Sequence, residues 1–282
     1  MSLVRLLASG LAASAIAVGG TSAAAARPII VNPDGSGSVP WQVALVDAAN
    51  PDLFTGQFCG GTIRDTLHVI TAAHCVQSPH DQPGTFDVLA GISDLTAPES
   101  TMQRRKVTAV AVDPDFAARP SGAILNDAAL LTLDAPLQLS NVVDVMPPVE
   151  VGGTGAKGEI SGWGANDVAN PGVFPTTLQF ATIDILPDSA CANYGADFDP
   201  AVMLCAGRLA GSKTVDTCHG DSGGPLTRVT GTDPVDGAAL SDKLLGIVSW
   251  GLGNGDAGCG DPTLPGVYTR VSDPKINAFL SQ

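Results

Sequence analysis

Beyond Trp41 the apolar positions of this chain come in short runs separated by Gly, Pro, Asn and Asp. Runs of that length, bounded by turn residues, read as β-strands. Residues 41–46, 58–63, 67–71 and 86–91 fit, and Asn50-Pro51-Asp52 supplies a turn between the first two. Residues 106–112 and 178–186 alternate apolar with polar, the period of a strand with one packed side. Residues 128–133 form a further apolar run. Only the end of the chain has helical spacing. Asp273 stands at an N-cap position, Pro274 at the first helical position, and Ile276, Phe279 and Leu280 fall on one face. About a dozen short strands with few helices predict an all-β fold of the barrel type. No internal sequence repeat accompanies them.

Residues 1–26 stand apart. Arg5 gives a positive start, residues 6–18 are mainly apolar, and Ala23 to Ala26 offer small side chains for cleavage. That is the layout of a secretory signal. The apolar run is shorter than the roughly 20 residues a membrane span needs, and no later stretch is long and apolar enough. The product is expected to be secreted, extracellular and soluble, with no membrane partner.

Composition narrows the class. The 282 residues suffice for one large or two medium domains, and 44% hydrophobic content with 15% charged can pack a core. The formal net charge of −14 argues against nucleic-acid binding, which uses a basic surface. It suits a soluble protein that attracts cationic substrates. Six cysteines behind an export signal favour disulfides. None lies in a Cys-x-x-Cys pair, so zinc and thioredoxin-like chemistry are not expected. No cofactor and no metal are predicted.

The candidate chemistry concentrates in Asp216-Thr217-Cys218-His219-Gly220-Asp221-Ser222-Gly223-Gly224-Pro225-Leu226. Glycines around a serine permit positive φ and close approach by a substrate. Backbone N–H groups beside it can hold an oxyanion. Gly-x-Ser-x-Gly alone fits two enzyme architectures and also a plain turn. Histidine order separates the two enzymes. An α/β-hydrolase runs Ser, acid, His. Here His68, His74, His80 and His219 all precede Ser222. A base for Ser222 must lie upstream, so the order is His, Asp, Ser.

Upstream lie Leu67-His68-Val69-Ile70-Thr71-Ala72-Ala73-His74-Cys75 and Asn126-Asp127-Ala128-Ala129-Leu130-Leu131, followed by Glu159-Ile160-Ser161-Gly162-Trp163-Gly164. Together with the serine motif, and in this order, these segments resemble a trypsin-family serine endopeptidase from about Val39 to the C-terminus. The resemblance implies two six-stranded antiparallel β-barrels with the active site in the cleft between them, and a short C-terminal helix. The corresponding division is a signal peptide over 1–26, a short propeptide over 27–29, barrels over 30–145 and 146–272, and the helix over 273–282.

The resemblance also implies roles. His74 would be the base, Asp127 its orienting acid and Ser222 the nucleophile, with the N–H groups of Gly220 and Ser222 as the oxyanion hole. Asp216 would sit at the base of the primary pocket and select Arg or Lys. Ser249, Trp250, Gly251 and Gly266 would line that pocket, and His219 its mouth. Cys59 and Cys75 match a bonded pair of the family, and a bridge closing about 15 residues stabilises by roughly 3 kcal/mol in the chain-entropy model. Cys191 and Cys205 read as a local bridge, and Cys218 and Cys259 then remain to pair. His68 is read as structural and His80 as solvated in a Pro-rich loop. Arg104-Arg105-Lys106 is read as a solvated strand edge.

The expected function is peptide-bond hydrolysis through an acyl-enzyme, on protein or peptide substrates, by a monomer that protein inhibitors could block. Two alternatives are chymotrypsin- or elastase-like specificity and a non-catalytic protease-like binding protein. Two stretches depart from the family pattern. Residues 253–257 form a Gly-rich insert beside the pocket. Asn32-Pro33 replaces Gly-Gly after the candidate mature terminus, and Pro28 disfavours cleavage after Arg27. In the family, the freed α-ammonium pairs with the acid before the serine, here Asp221. N-terminal sequencing of the secreted active protein should therefore begin at Ile29 or Ile30, and a first residue elsewhere would remove that pairing.

Overall fold

The computed structural model describes residues 30, 34–140, 155–165, 173–209, 214–232, 239–251, 259–261 and 263–282. The expected signal peptide and propeptide over 1–29, the domain boundary at Val145 and the insert at 253–257 lie outside the described residues.

Six strands close the first barrel: β2 (Gln42–Asp47), β3 (Gln57–Ile63), β4 (His68–Thr71), β5 (Phe86–Ala90), β6 (Gln103–Val112) and β9 (Ala129–Leu133). Their order is β2-β3-β4-β9-β6-β5, and β2 pairs with β5 to complete the ring. The second barrel uses β10 (Lys157–Gly162), β11 (Gln179–Ile185), β12 (Met203–Gly207), β13 (Pro225–Thr232), β14 (Ala239–Trp250) and β15 (Gly266–Arg270). It runs β10-β11-β12-β15-β14-β13 and closes where β10 meets β13. Every pairing is antiparallel, and the two rings share one connectivity despite having no sequence repeat. A short β1 (Gly35–Ser36) adds to the outside of β11, and β7 (Ala117–Ala118) pairs with β8 (Ile124–Leu125).

Burial follows the alternation. In β11 every second residue from Gln179 to Ile185 is buried, which puts Ala181 and Ile183 in the second barrel's core with Ile160 and Leu226. Strand β5 is buried on both sides. Phe86, Val88 and Ala90 fill the first barrel, while Leu89 faces a separate layer with Val46, Trp163 and Leu178. That layer fastens the barrels together, and Trp163 Nε1 donates to Ser93 O at 2.9 Å. Strand β6 keeps the one packed side its alternation predicted: Val107 is buried and Val110 and Val112, partly buried, pack against the first barrel's core, while Lys106, Thr108, Ala109 and Ala111 are exposed. A bulge between Val107 and Ala109 shifts the alternation by one residue. Arg104, expected to be solvated, pairs with Asp87 at 2.7 Å.

Two short elements went unread in the sequence. Asp52 caps a one-turn helix, α1 (Leu53–Gly56), where only a turn was expected. A 3-10 segment spans Asp188–Asp197 and carries Cys191. The C-terminal helix α2 (Pro274–Leu280) is where the spacing placed it, with Asp273 accepting from the N–H groups of Lys275 and Ile276. Ile276, Phe279 and Leu280 pack into the first barrel's core. The end of the chain therefore clasps the barrel farther from it in sequence. Arg64 reinforces this with a bond to Leu280 O at 2.9 Å.

Candidate active site

His74 sits in a 3-10 turn (Ala73–Val76) that leaves the end of β4. Cys75 of the same turn is bonded to Cys59 of β3, which anchors the turn to the barrel wall. Asp127 lies just before β9, next to β4 in the ring. Its preceding residue Asn126 has φ of 48°. Asn tolerates this left-handed conformation because its side chain can bond locally, and here Asn126 Nδ2 donates to Asp115 O at 2.9 Å. The kink turns Asp127 inward, where it is fully buried.

The buried carboxylate is completely engaged. His74 donates from its backbone N–H to Oδ1 at 2.9 Å, and its Nδ1 lies 2.7 Å from Oδ2. Ser249 Oγ donates to Oδ2 at 2.5 Å. Thr269 Oγ1 donates to the Asp127 backbone carbonyl at 2.8 Å. With Nδ1 committed to the acid, Nε2 is the free nitrogen of the ring. Burial pulls the His74 pKa down, but the Asp127 charge and its hydrogen bond outweigh that and raise it above the usual histidine value. Nε2 is also 3.8 Å from Cys75 Sγ, but that sulfur is in a disulfide and offers no thiolate to a metal.

Ser222 faces His74 across a cavity of about 240 Å³ that both residues line. No hydrogen bond joins the two side chains, an arrangement common in sites that tighten only around substrate. The loop carrying Ser222 is held from behind. Ala165 N–H donates to His219 O at 2.7 Å, Gln57 Nε2 to Gly220 O at 3.0 Å, and Gly60 N–H to Ser222 O at 2.7 Å. Gly223 N–H is taken by Val248 O at 2.8 Å. The Cys218–Cys259 disulfide ties the loop at its start. Among the described residues the N–H groups of Gly220 and Ser222 have no partner, so two free donors flank the serine side chain.

Glycine is required at two points. Gly220 has φ of 98°, and a Cβ there would meet Gly164 Cα at 3.0 Å. Gly223 has φ of 79°, and a Cβ would come within 2.2 Å of Thr71 Oγ1 and 2.6 Å of Gly60 O. The serine loop of the second barrel thus presses its backbone onto β3 and β4 of the first.

Asp221 is fully buried and accepts from Gly164 N–H at 2.8 Å and Cys218 N–H at 3.0 Å. No side-chain cation reaches it among the described residues. Burial raises its pKa to about 6 against the pull of those two N–H groups. Asp216 lies deeper in the cavity, 6% exposed. Burial pushes its pKa up to about 7, the N–H groups of Thr217 and Gly260 oppose that, and the charge of Asp221 adds to it. Gly266 leaves room for it, since a Cβ there would lie 2.3 Å from Asp216 Oδ1. His219, Ser249, Trp250 and Gly251 line the same cavity. Every candidate side chain named from the sequence around this cleft is brought to it or to the loop behind it.

The remaining histidines differ. His68 is bound to Asp65 at 2.9 Å and Arg64 at 2.9 Å, a structural role as expected. His80, expected to be solvated, instead stacks on Phe58 at 3.8 Å between ring centroids and 3° between planes. The sequence reading missed Gln57 and Thr269, and it gave Ser249 a place in the pocket wall without its bond to Asp127. The three expected disulfides, 59–75, 191–205 and 218–259, are all formed.

A family model described as Trypsin matches residues 31–279. A trypsin of Saccharopolyspora erythraea is 35% identical over 237 residues, 82% of this chain and 88% of its own length. Trypsin-1 of Astacus astacus is 34% identical over 242 residues, 84% of this chain and 92% of its own. Among solved structures, neuropsin, a serine protease of mouse brain, aligns with a TM-score of 0.67 at 29% identity, over 85% of this chain and 94% of its own.

A proton NMR titration of the imidazoles tests the electrostatics. His74 should titrate above the ordinary value of about 6.5. In Asp127→Asn it should fall below that value, because burial then acts without an opposing charge. An unchanged His74 titration would mean that Asp127 does not set its charge.

Proposed function

The chain belongs to the trypsin family, and it is a serine protease by that membership; on this footing we propose that it is a secreted endopeptidase cleaving after Arg or Lys through Ser222, His74 and Asp127. The observation that carries the specificity is Asp216. An acid buried in the wall of a cavity with only backbone donors is costly to ionise unless a cation arrives. A substrate Arg or Lys side chain supplies the cation, and the small Gly251 and Gly266 leave it a path.

The chemistry follows from the donors. Ser222 Oγ attacks the scissile carbonyl as His74 Nε2 takes its proton. Asp127 holds Nδ1–H, which fixes the tautomer and stabilises the imidazolium. The carbonyl oxygen becomes an oxyanion and is met by the unpaired N–H groups of Gly220 and Ser222; losing one such donor typically costs about 3–4 kcal/mol of barrier. The imidazolium then gives its proton to the leaving amine, and water repeats the sequence on the acyl-enzyme. Protein and peptide substrates and protein inhibitors both fit the open cleft, and the enzyme acts as a monomer.

Residues 1–26 direct export, and three disulfides suit an oxidising compartment. Cleavage before Ile29 or Ile30 frees an α-ammonium for Asp221. The support is that buried carboxylate, which has two N–H donors and no cation among the described residues.

Hydrolysis of Arg, Lys, Phe and Ala anilides by the mature protein tests both parts. Arg and Lys substrates should dominate, and Asp216→Ser should abolish the preference. Ser222→Ala should lower kcat by a factor on the order of 10⁶. A profile led by Phe or Ala, or unaltered by Asp216→Ser, would overturn the specificity. Full turnover by Ser222→Ala would overturn the nucleophile.

A further inference from the structure

Glu159 lies on β10 beside Ile160, whose side chain joins the second barrel's core. Strand alternation turns Glu159 to the outer side of that barrel. An outward strand position ordinarily carries a solvated polar group, but this one is roofed. Val39 and Trp41 from the N-terminal segment, Phe180 of β11 and Leu240 of β14, with Pro40 and the hydroxyl residues Ser38 and Ser241, line an open cavity of about 240 Å³ to which Glu159 contributes. It shares no residue with the cavity that holds Ser222. Glu159 is 6% exposed.

No hydrogen bond or ion pair reaches the Glu159 carboxyl group among the described residues. The charge that acts on it is another acid, Asp34. Asp34 is itself occupied, by Arg208 at 2.8 Å and by Thr182 N–H at 2.9 Å. Burial first, and Asp34 second, push Glu159 up to about 7. An apolar residue of similar volume would fill this position with less strain on the fold. Above neutral pH the acid is instead a largely buried charge with no cation or donor beside it among the described residues. The walls suit only one part of a ligand, and the carboxylate suits another.

We propose that this cavity is a second binding site, for a small organic cation with an apolar body such as an arylalkyl ammonium. The ammonium meets Glu159, and the ring packs against Trp41 and Phe180. The indole face of Trp41 adds attraction for the positive charge. Leu240, 46% exposed, stands at the edge of the cavity. The net charge of −14 concentrates such cations at the surface. The site is independent of the specificity assigned to Asp216.

Isothermal titration with 2-phenylethylammonium chloride at about pH 8, where Glu159 is ionised, tests it. The Asp216→Asn protein is used so that the catalytic cavity offers no competing carboxylate. It should bind one equivalent with a Kd of about 5 mM or below. Adding Glu159→Gln, which keeps the shape and removes the charge, should weaken binding at least about fivefold. Glu159→Leu should abolish binding and raise the melting temperature, which shows that the fold is intact. A weaker Kd in the first protein, or a change smaller than fivefold with Glu159→Gln, overturns the proposal.

Discussion

The carboxylate of Asp127 is where the two barrels become one site. It is fully buried between them and accepts from both. His74, from the first barrel, gives it two bonds, and Ser249 of β14, from the second, gives a third. Thr269 of β15 holds the backbone of the same residue. A buried charge with three donors is tolerable, and the same charge with one donor removed is not. The orientation of the imidazole and the docking of the barrels are therefore one constraint. Neither barrel can shift without undoing the hydrogen bonds that aim His74 at the cleft.

The serine loop answers that constraint from the other side. Its carbonyls are tied outward by Ala165, Gln57 and Gly60, and the tight backbone packing of Gly223 against Thr71 leaves no slack. What this loop leaves facing the cleft is one hydroxyl and two N–H groups without a partner among the described residues. Such preorganised donors act at full strength because nothing must reorient when charge develops. Three acids, Asp127, Asp216 and Asp221, lie buried around this loop, with backbone groups, hydroxyls and one imidazole as their partners. Two of them are pushed up by burial, so the region carries an unmet demand for positive charge.

Much of this was legible in the sequence, for a specific reason. His74, Asp127 and Ser222 sit in contiguous motifs whose neighbours are needed locally: Cys75 to anchor, Gly220 and Gly223 to turn, Ala128 onward to form a strand. Short alternating strands predicted barrels, and the Asp273-Pro274 pair predicted the last helix. What was not legible depends on partners distant in the chain. Gln57 reaches Gly220 across 163 positions. His80 stacks on Phe58 while staying partly exposed, which a Pro-rich loop composition does not announce. Strand β6 alternates, but the bulge between Val107 and Ala109 that brings Val110 and Val112 onto the packed side leaves no mark in the pattern. The burial of Glu159 likewise depends on Trp41 and Phe180, which line its cavity from distant parts of the chain. The two barrels share a strand order without a shared sequence, because a closed ring demands alternation and turns rather than particular residues.

The most direct test is the rate at which a fluorophosphonate labels Ser222 in the mature protein, compared with the Asp127→Asn protein near neutral pH. If the buried carboxylate sets the imidazole that activates the serine, the substitution should slow labelling by a factor on the order of 10⁴. Labelling of Asp127→Asn at the unaltered rate would contradict the account, because the serine would then be activated without the interaction on which both barrels converge.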